Sequence, residues 1–194
     1  MNERICYKIK IWYNIYGDNM KLYILSDIHG DSLALEKLVD YFLTQDFDNI
    51  IILGDICHGY GSSNEISVNK IGNILSRVVT RLILVRGNCD LVEDVKYLPT
   101  GFRDTFSLML KGKNIYFAHG HRYFPYGILN ENDIYCHGHS HMNMIEKVNN
   151  KFIECNPGSI SMPRGNTKKS YMEINDSSLI IYDLDHNIIK QTQV

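Results

Sequence analysis

Three short, mainly apolar runs, each closed by a cluster of small and hydrogen-bonding residues, constrain the fold more than any other feature. They are residues 21–26 (KLYILS), 49–53 (NIIIL) and 81–85 (RLILV). Each is too short for a helix and long enough for a buried strand. The first stops at Asp27-Ile28-His29-Gly30, the second at Gly54-Asp55, and the third at Arg86-Gly87-Asn88-Cys89-Asp90. Helical patterns follow. Asp31 and Ser32 are good N-cap residues, and apolar positions recur at helical spacing through Phe42. After a loop rich in Gly59, Gly61, Ser62 and Ser63, residues 65–79 predict a second helix with Ile66, Ile71, Ile74, Leu75 and Val78 inward. Continuous apolar strands alternating with helices imply a mostly parallel sheet covered on both faces. Its ligand-type residues then fall just beyond the carboxyl ends of the strands, where such sheets bind their ligands.

The style changes after Pro99. Residues 106–110 and 114–118 flank Lys111-Gly112-Lys113, a tight hairpin turn. A brief strand at 134–136 runs into a histidine cluster. Residues 144–148 and 151–154 are joined by Asn149-Asn150, a two-residue hairpin signal, and Asn156-Pro157-Gly158-Ser159 is a turn. Residues 170–175, 179–184 and 187–191 predict three closing antiparallel strands. No repeat, linker or low-complexity segment interrupts the chain. The expected architecture is α/β: one domain over residues 20–194, a parallel βα half followed by an antiparallel β-rich half packed against it. Residues 1–19 stand apart as an N-terminal extension. A second methionine, Met20, directly precedes the first strand, and Gly17-Asp18 can be encoded GGAGAT, which resembles a ribosome-binding site. Translation from Met20 is therefore expected. The competing reading is an extension that packs on the domain or on a neighbouring subunit.

At 194 residues, 44% hydrophobic and 22% charged, the chain suits one domain with a substantial core. A net charge of −2 gives no basis for stable nucleic-acid binding. Five widely spaced cysteines point to reduced thiols in a cytoplasmic protein. No apolar run approaches the roughly 18 residues of a membrane span.

Seven of the eight histidines lie between His29 and His141. They include His119-Gly120-His121 and His137-Gly138-His139-Ser140-His141. A single histidine more often caps a turn or sits on a polar surface. Five groups of ligand-type residues, each ending an apolar run, argue for metal binding. Aspartate, asparagine and histidine form a mixed oxygen and nitrogen set suited to Mn²⁺, Fe²⁺, Zn²⁺ or Ni²⁺, and no cysteine pair has zinc-finger spacing. Two ions roughly 3.5–4 Å apart, bridged by a carboxylate and a hydroxide, form a standard device for phosphoester hydrolysis. Asp55 is the natural bridge, lying between the other contributors in sequence and following a rigid strand.

The order Asp27-x-His29, Gly54-Asp55, Gly87-Asn88, His119, Gly138-His139-x-His141 resembles the calcineurin-like metallophosphoesterase superfamily. Ser26 to Gly30, Arg86 to Asp90, His119-Gly120-His121 and the run from Asn156 to Gly165 resemble its small bacterial YfcE-type phosphodiesterases. The resemblance spans residues 20–191. It implies a four-layer α/β/β/α sandwich with two divalent ions, manganese foremost, at the strand ends. By match, one ion takes Asp27, His29, Asp55 and His141, and the other Asp55, Asn88, His119 and His139. Asp55 and Asn88 would thus serve catalysis directly, by attack of a dimetal-bound hydroxide on a small or nucleotide-like phosphodiester. His121 is expected to orient a ligand or touch the phosphate. His58, in the glycine-rich loop, is a candidate to reach the phosphate. Cys89, Asp90 and His137 lie beside the ligands without matching one. Many superfamily members carry histidine where Cys89 stands, as the proton donor to the leaving group. A thiol serves that task poorly, so the general acid is left open among His58, His121 and water.

Two other readings compete. The small subunit of the retromer coat resembles the same fold and is a protein-binding scaffold with a degraded metal site. Here every ligand position retains a metal-binding side chain, which a scaffold would not need. A phosphomonoesterase or dinucleoside polyphosphate hydrolase is the other, because specificity resides in loops 57–65 and 122–131, which carry no readable code. A small phosphoester substrate is the expected partner. A homo-oligomer is compatible with the sequence.

Overall fold

The structure, a computed structural model, describes residues 20–58 and 65–194, with side chains from residue 68 onward in the second segment. The expectations for residues 1–19 and for the loop of Gly59 to Ser63 lie outside the described residues. The three apolar runs are strands: β1 (Leu22–Leu25), β2 (Asn49–Ile52) and β3 (Leu82–Leu84). They pair in parallel, with Tyr23 opposite Ile50 and Ile51 opposite Ile83. Between β1 and β2 lies α1 (Ser32–Thr44). The Asp31 side chain caps it by accepting the Ala34 N–H at 3.0 Å. Its Ala34, Leu35, Leu38, Val39 and Phe42 form the buried stripe. α2 (Glu65–Ser76) ends before the expected residue 79. The last turn tightens through Arg77 N–H to Ile74 O and Val78 N–H to Leu75 O, and Val79–Arg81 forms a 3-10 turn. The β-branched run Val78-Val79-Thr80 disfavours further α-helix.

The second half begins with β4 (Thr105–Leu110) and β5 (Lys113–Ala118). Lys111 and Gly112 take left-handed φ of 47° and 77° between them, the conformation a two-residue hairpin turn demands. There follow β6 (Ile134–His137), β7 (Met144–Val148) and β8 (Phe152–Asn156), then β9 (Ser170–Ile174), β10 (Ser178–Asp183) and β11 (Ile188–Gln193). Asn149 and Asn150, both left-handed, turn β7 into β8. The three closing strands are antiparallel, as expected, but they extend the first sheet. Its order is β11-β10-β9-β1-β2-β3, with β9 antiparallel to β1. The second sheet, β4-β5-β6-β8-β7, is mixed: β5, β6 and β8 run parallel, and only the two hairpins are antiparallel. Parallel pairing of β5 with β6 needs a long crossover, and residues 119–133 supply it.

The layers follow from burial. Tyr23, Leu25, Ile50 and Ile52 face the helices, while Leu22, Ile24, Ile51 and Leu53 face the second sheet, where Phe106, Leu108, Ile115, Phe117, Ile134 and Cys136 meet them. The alternation along β1 and β2 is that of strands buried on both sides. The outer face of the second sheet, with Tyr135 and Phe152, is covered by the 119–133 crossover and Leu129. The only helix in that thin fourth layer, among the described residues, is the 3-10 turn Pro125–Gly127. Because β1, β2, β3, β5 and β6 share one direction across the two sheets, their carboxyl ends meet. His119 Nδ1, beyond β5, lies 2.6 Å from Leu53 O, beyond β2, and His139 N–H, beyond β6, donates to Asp27 Oδ2, beyond β1.

Candidate metal centre

Five non-glycine residues at these strand ends have left-handed backbones: Asp27 (φ 52°), His29 (46°), Asp55 (52°), His139 (67°) and His141 (61°). Each costs on the order of 1–3 kcal/mol and persists only where its surroundings fix it. Asp27 N–H donates to Gly54 O and His29 N–H to Asp55 O, stitching the first two loops together. Ser159 Oγ and Ser161 Oγ donate to the Asp27 carbonyl at 2.7 and 2.9 Å. The outcome is one concave array of side chains that sequence places 114 residues apart, from Asp27 to His141.

The imidazoles are aimed by backbone carbonyls. His29 Nδ1 lies 2.6 Å from His58 O, His119 Nδ1 2.6 Å from Leu53 O, and His141 Nδ1 2.7 Å from Met162 O. A carbonyl can only accept, so each Nδ1 carries the proton and each Nε2 is turned into the site. Such outer contacts are how proteins orient metal-binding histidines. Nε2 of His29 and Nε2 of His141 are 3.1 Å apart. Two imine lone pairs at that distance repel unless a proton or a cation lies between them. Asp27 Oδ2 takes the Ser26 hydroxyl and the His139 N–H. Its Oδ1 is buried without a well-formed hydrogen bond, with His141 Nε2 at 3.2 Å. Ligand atoms of Asp27, His29, Asp55 and His141 all lie within 4.8 Å of one another. A buried carboxylate oxygen left unbonded among inward-facing imine nitrogens fits a divalent cation.

Asp55 also faces a second group of side chains. Its Oδ2 is 3.7 Å from His29 Nε2 and 3.4 Å from His119 Nε2. Asn88 Oδ1 lies 3.1 Å from His119 Nε2, and the His139 ring centre is 5.2 Å from that of His119. Electrostatics agree with a cation site. Burial alone would raise the Asp55 carboxyl, yet the His119 hydrogen bond and charge, the Cys89 N–H and His29 hold it well below the usual range. Burial likewise opposes charge on His119 and His141, and Asp55 and Asp27 respectively outweigh it, raising both imidazoles. His139 and His121 are lowered by burial and then by the charge of His119.

The flanking residues divide by role. Asp90 is buried, and its carboxylate accepts the N–H of Asp55, Ile56 and Gly87 at 2.8, 2.7 and 2.7 Å, tying the second and third loops together. Cys89 N–H donates to Asp55 Oδ1 at 2.8 Å, so its backbone serves the site. Its thiol is pushed up to about 12 by burial and by Asp55. His137 Nε2 faces Glu154 at 3.1 Å, outside the ligand array. The His58 ring lies 2.8 Å from Asp94 Oδ1, and its carbonyl holds His29. Asp94 had no sequence signal as a partner, because it lies 36 residues from His58. Ser26, Ser159 and the carbonyls of Leu53 and Met162 were equally hidden, since their contribution lies in hydrogen bonds and not in ligand chemistry. His121 sits beside His119, with ring centres 5.3 Å apart.

A helix-backed sheet pair carrying a cluster of Asp, Asn and His side chains at its strand ends defines a class, and residues 20–177 match the calcineurin-like phosphoesterase superfamily domain. The chain belongs to that superfamily, whose enzymes are hydrolases acting on phosphoric ester bonds. Among individual proteins it is 31% identical to the phosphodiesterase YfcE of Escherichia coli (strain K12), across 90% of this chain and 98% of that one. The solved structure of the E. coli phosphoesterase Yfce superposes with a TM-score of 0.81 at 32% identity, covering 89% of this chain and 98% of that one. The probable metallophosphoesterase YsnB of Bacillus subtilis is 32% identical across 57% of this chain and 68% of its own. Vps29 of Chaetomium thermophilum shares the fold, with a TM-score of 0.57 at 16% identity over 90% of this chain and 97% of that one.

Proposed function

We propose that this chain is a cytoplasmic, metal-dependent phosphodiesterase that hydrolyses a small or nucleotide-like phosphodiester at the centre formed by Asp27, His29, Asp55, Asn88, His119, His139 and His141. The observation that carries the reading is the shared position of Asp55 Oδ2 between His29 and His119, two imidazoles each locked by a backbone carbonyl. The first ion would be held by Asp27, His29, Asp55 and His141, and the second by Asp55, Asn88, His119 and His139. Two divalent ions, with manganese the leading candidate, would supply the acidity that yields hydroxide at neutral pH and the positive charge that receives the phosphoryl oxygens. The chain's own residues do the rest. Asp55 sets the spacing of the two sets. The backbone strain at Asp27, Asp55 and His141 holds the donors ready, so little reorganisation accompanies substrate binding. His121, beside Asn88 on the rim, is assigned to orient the phosphate.

A protein-binding scaffold is disfavoured because each of the seven positions keeps a ligating side chain, and Asp27, Asp55, His119 and His141 are buried together, which would be costly without a cation. The similarity to a protein named as a phosphodiesterase over nearly its whole length supports diester over monoester chemistry. The test is hydrolysis of bis(p-nitrophenyl) phosphate and p-nitrophenyl phosphate by protein stripped of metal and reloaded with Mn²⁺, Fe²⁺, Zn²⁺ or Ni²⁺. Preference for the diester, strongest with Mn²⁺, is expected. Faster monoester hydrolysis with every ion overturns the diester assignment.

A further inference from the structure

Beside the second ligand set lies a small polar cavity lined by Arg86, Asn88, Asp104, His121, Arg122 and Tyr123, with a volume of about 50 Å³. Asn88 places it in contact with the catalytic centre, and two guanidinium groups against one carboxylate make it net positive. The segment that leaves it is unusual. Tyr123, Phe124, Tyr126 and Ile128 are 44%, 56%, 46% and 50% exposed, a row of large apolar side chains on a surface loop. Exposed aromatic clusters of this kind mark binding sites more often than chance surface residues do.

The loop is built to hold that pose. The hydroxyl of the fully buried Tyr135 donates to the Tyr123 carbonyl at 2.8 Å. The Tyr126 hydroxyl donates to Glu154 Oε1 at 2.8 Å, and Glu154 in turn faces His137 at 3.1 Å on β6, two residues before His139. The Tyr126 ring packs edge-on against Tyr135 and stacks on Phe152, at 5.9 and 5.6 Å. Tyr126 and Tyr135 thus anchor the loop to the second sheet, while the Tyr123 ring lines the cavity with the arginines and the exposed Phe124 ring follows it, 6.0 Å from Tyr126. A pinned aromatic surface pays little ordering entropy when a flat ligand stacks on it.

Resting on the phosphodiesterase reading, we propose that this region is the subsite for a nucleoside ester group of the substrate, with the base stacking on Tyr123 and Phe124 and with Arg86, Arg122 and Asp104 contacting the sugar and phosphate. The cavity itself is too small for a base, whose place is the exposed aromatic rim. Guanidinium groups suit phosphate oxygens and stack on aromatic faces, and a carboxylate can accept from sugar hydroxyls.

The test compares two product-like inhibitors of Mn²⁺-loaded enzyme acting on bis(p-nitrophenyl) phosphate: adenosine 5′-monophosphate and methyl phosphate. Wild type is expected to bind the nucleotide at least tenfold more tightly. Tyr123→Ala, alone and with Phe124→Ala, should bring the ratio of the two inhibition constants close to one, and Tyr123→Phe should retain it. Absence of any diester hydrolysis would sink the parent reading and leave this comparison unreadable by inhibition. Equilibrium dialysis of the Mn²⁺-loaded protein against the same two ligands then decides the subsite separately. Equal affinity for both ligands in wild type, or a ratio unchanged in Tyr123→Ala, overturns it. So does sedimentation showing that the aromatic loop is buried between copies of the chain, with Tyr123→Ala converting an oligomer to monomers.

Discussion

The buried carboxylate of Asp90 accepts the backbone N–H of Asp55 at 2.8 Å, so one aspartate holds by its side chain the main chain that presents another. With Ile56 and Gly87 also donating to it, Asp90 fixes the angle at which Asp55 faces His29 and His119. Burial raises this carboxyl, and the three N–H groups work against that rise.

Asp90→Asn is therefore expected to do more damage than its distance from the chemistry suggests. An amide offers one acceptor where two oxygens now receive three donors, and its NH₂ would face an N–H. A stability loss of about 2–3 kcal/mol is expected, with metal affinity down by roughly 10–100-fold. Thermal melts and metal titration check it. A variant that keeps wild-type affinity would remove Asp90 from its positioning role.

Gly87→Ala tests the same junction sterically. A Cβ at this position would run into the Asp55 carboxylate and its backbone nitrogen, which cannot rotate away. Loss of metal binding with a stability cost of at least about 2 kcal/mol is expected, measured by metal content after gel filtration. Normal metal content in a folded Gly87→Ala protein would mean that the third loop is looser than its hydrogen bonds imply.

Glu173 on β9 gives a pH prediction away from the site. Burial pushes its carboxyl up to about 7, against the Tyr182 hydrogen bond and the Lys21 charge. An acid raised in the folded state binds more protons folded than unfolded, so its contribution is full below about 4.5 and is lost as pH rises through about 7. Glu173→Gln imitates the protonated form. Its advantage in melting temperature over wild type should grow from pH 4.5 to pH 8, by about 2–4 °C once partial exposure is discounted. A constant difference across that range contradicts the raised carboxyl.

Cys89 contributes through its N–H, which every substitution except proline retains. With its thiol raised to about 12, it is neutral at working pH and a poor proton donor. Cys89→Ala should change the hydrolysis of activated aryl diesters little. Cys89→His should favour poor leaving groups, since a positioned acid contributes up to roughly 10²–10⁴-fold. Collapse of Cys89→Ala across a leaving-group series, or loss of its metal, would show the thiol itself to be essential.

Much of this was legible in sequence because parallel strands buried on both faces leave unbroken apolar runs, and because ligands must be Asp, Asn or His. KLYILS and NIIIL announced β1 and β2, and all seven proposed ligands carried their chemistry in their names. Pairing was less legible. Nothing local tells β9 to join β1 antiparallel, or β5 to run parallel to β6, since those choices depend on crossovers and on which faces remain to be covered. Supporting residues were the least visible. Asp94 reads as one more surface carboxylate until His58 is seen to lie 2.8 Å away, and Ser159 as a turn residue until its hydroxyl meets the Asp27 carbonyl.

Metal stoichiometry measured together with diester hydrolysis, in wild type and in Asp55→Asn, tests the dinuclear assignment most directly. Wild type should bind two divalent ions per chain and cleave bis(p-nitrophenyl) phosphate. Asp55→Asn, keeping its fold by circular dichroism, should fall below two ions and lose nearly all of the rate, because a neutral amide cannot hold two dications close together. An Asp55→Asn protein with both ions bound and near-wild-type turnover, or a wild type fully active with a single ion, would contradict the assignment of Asp55 as the bridge.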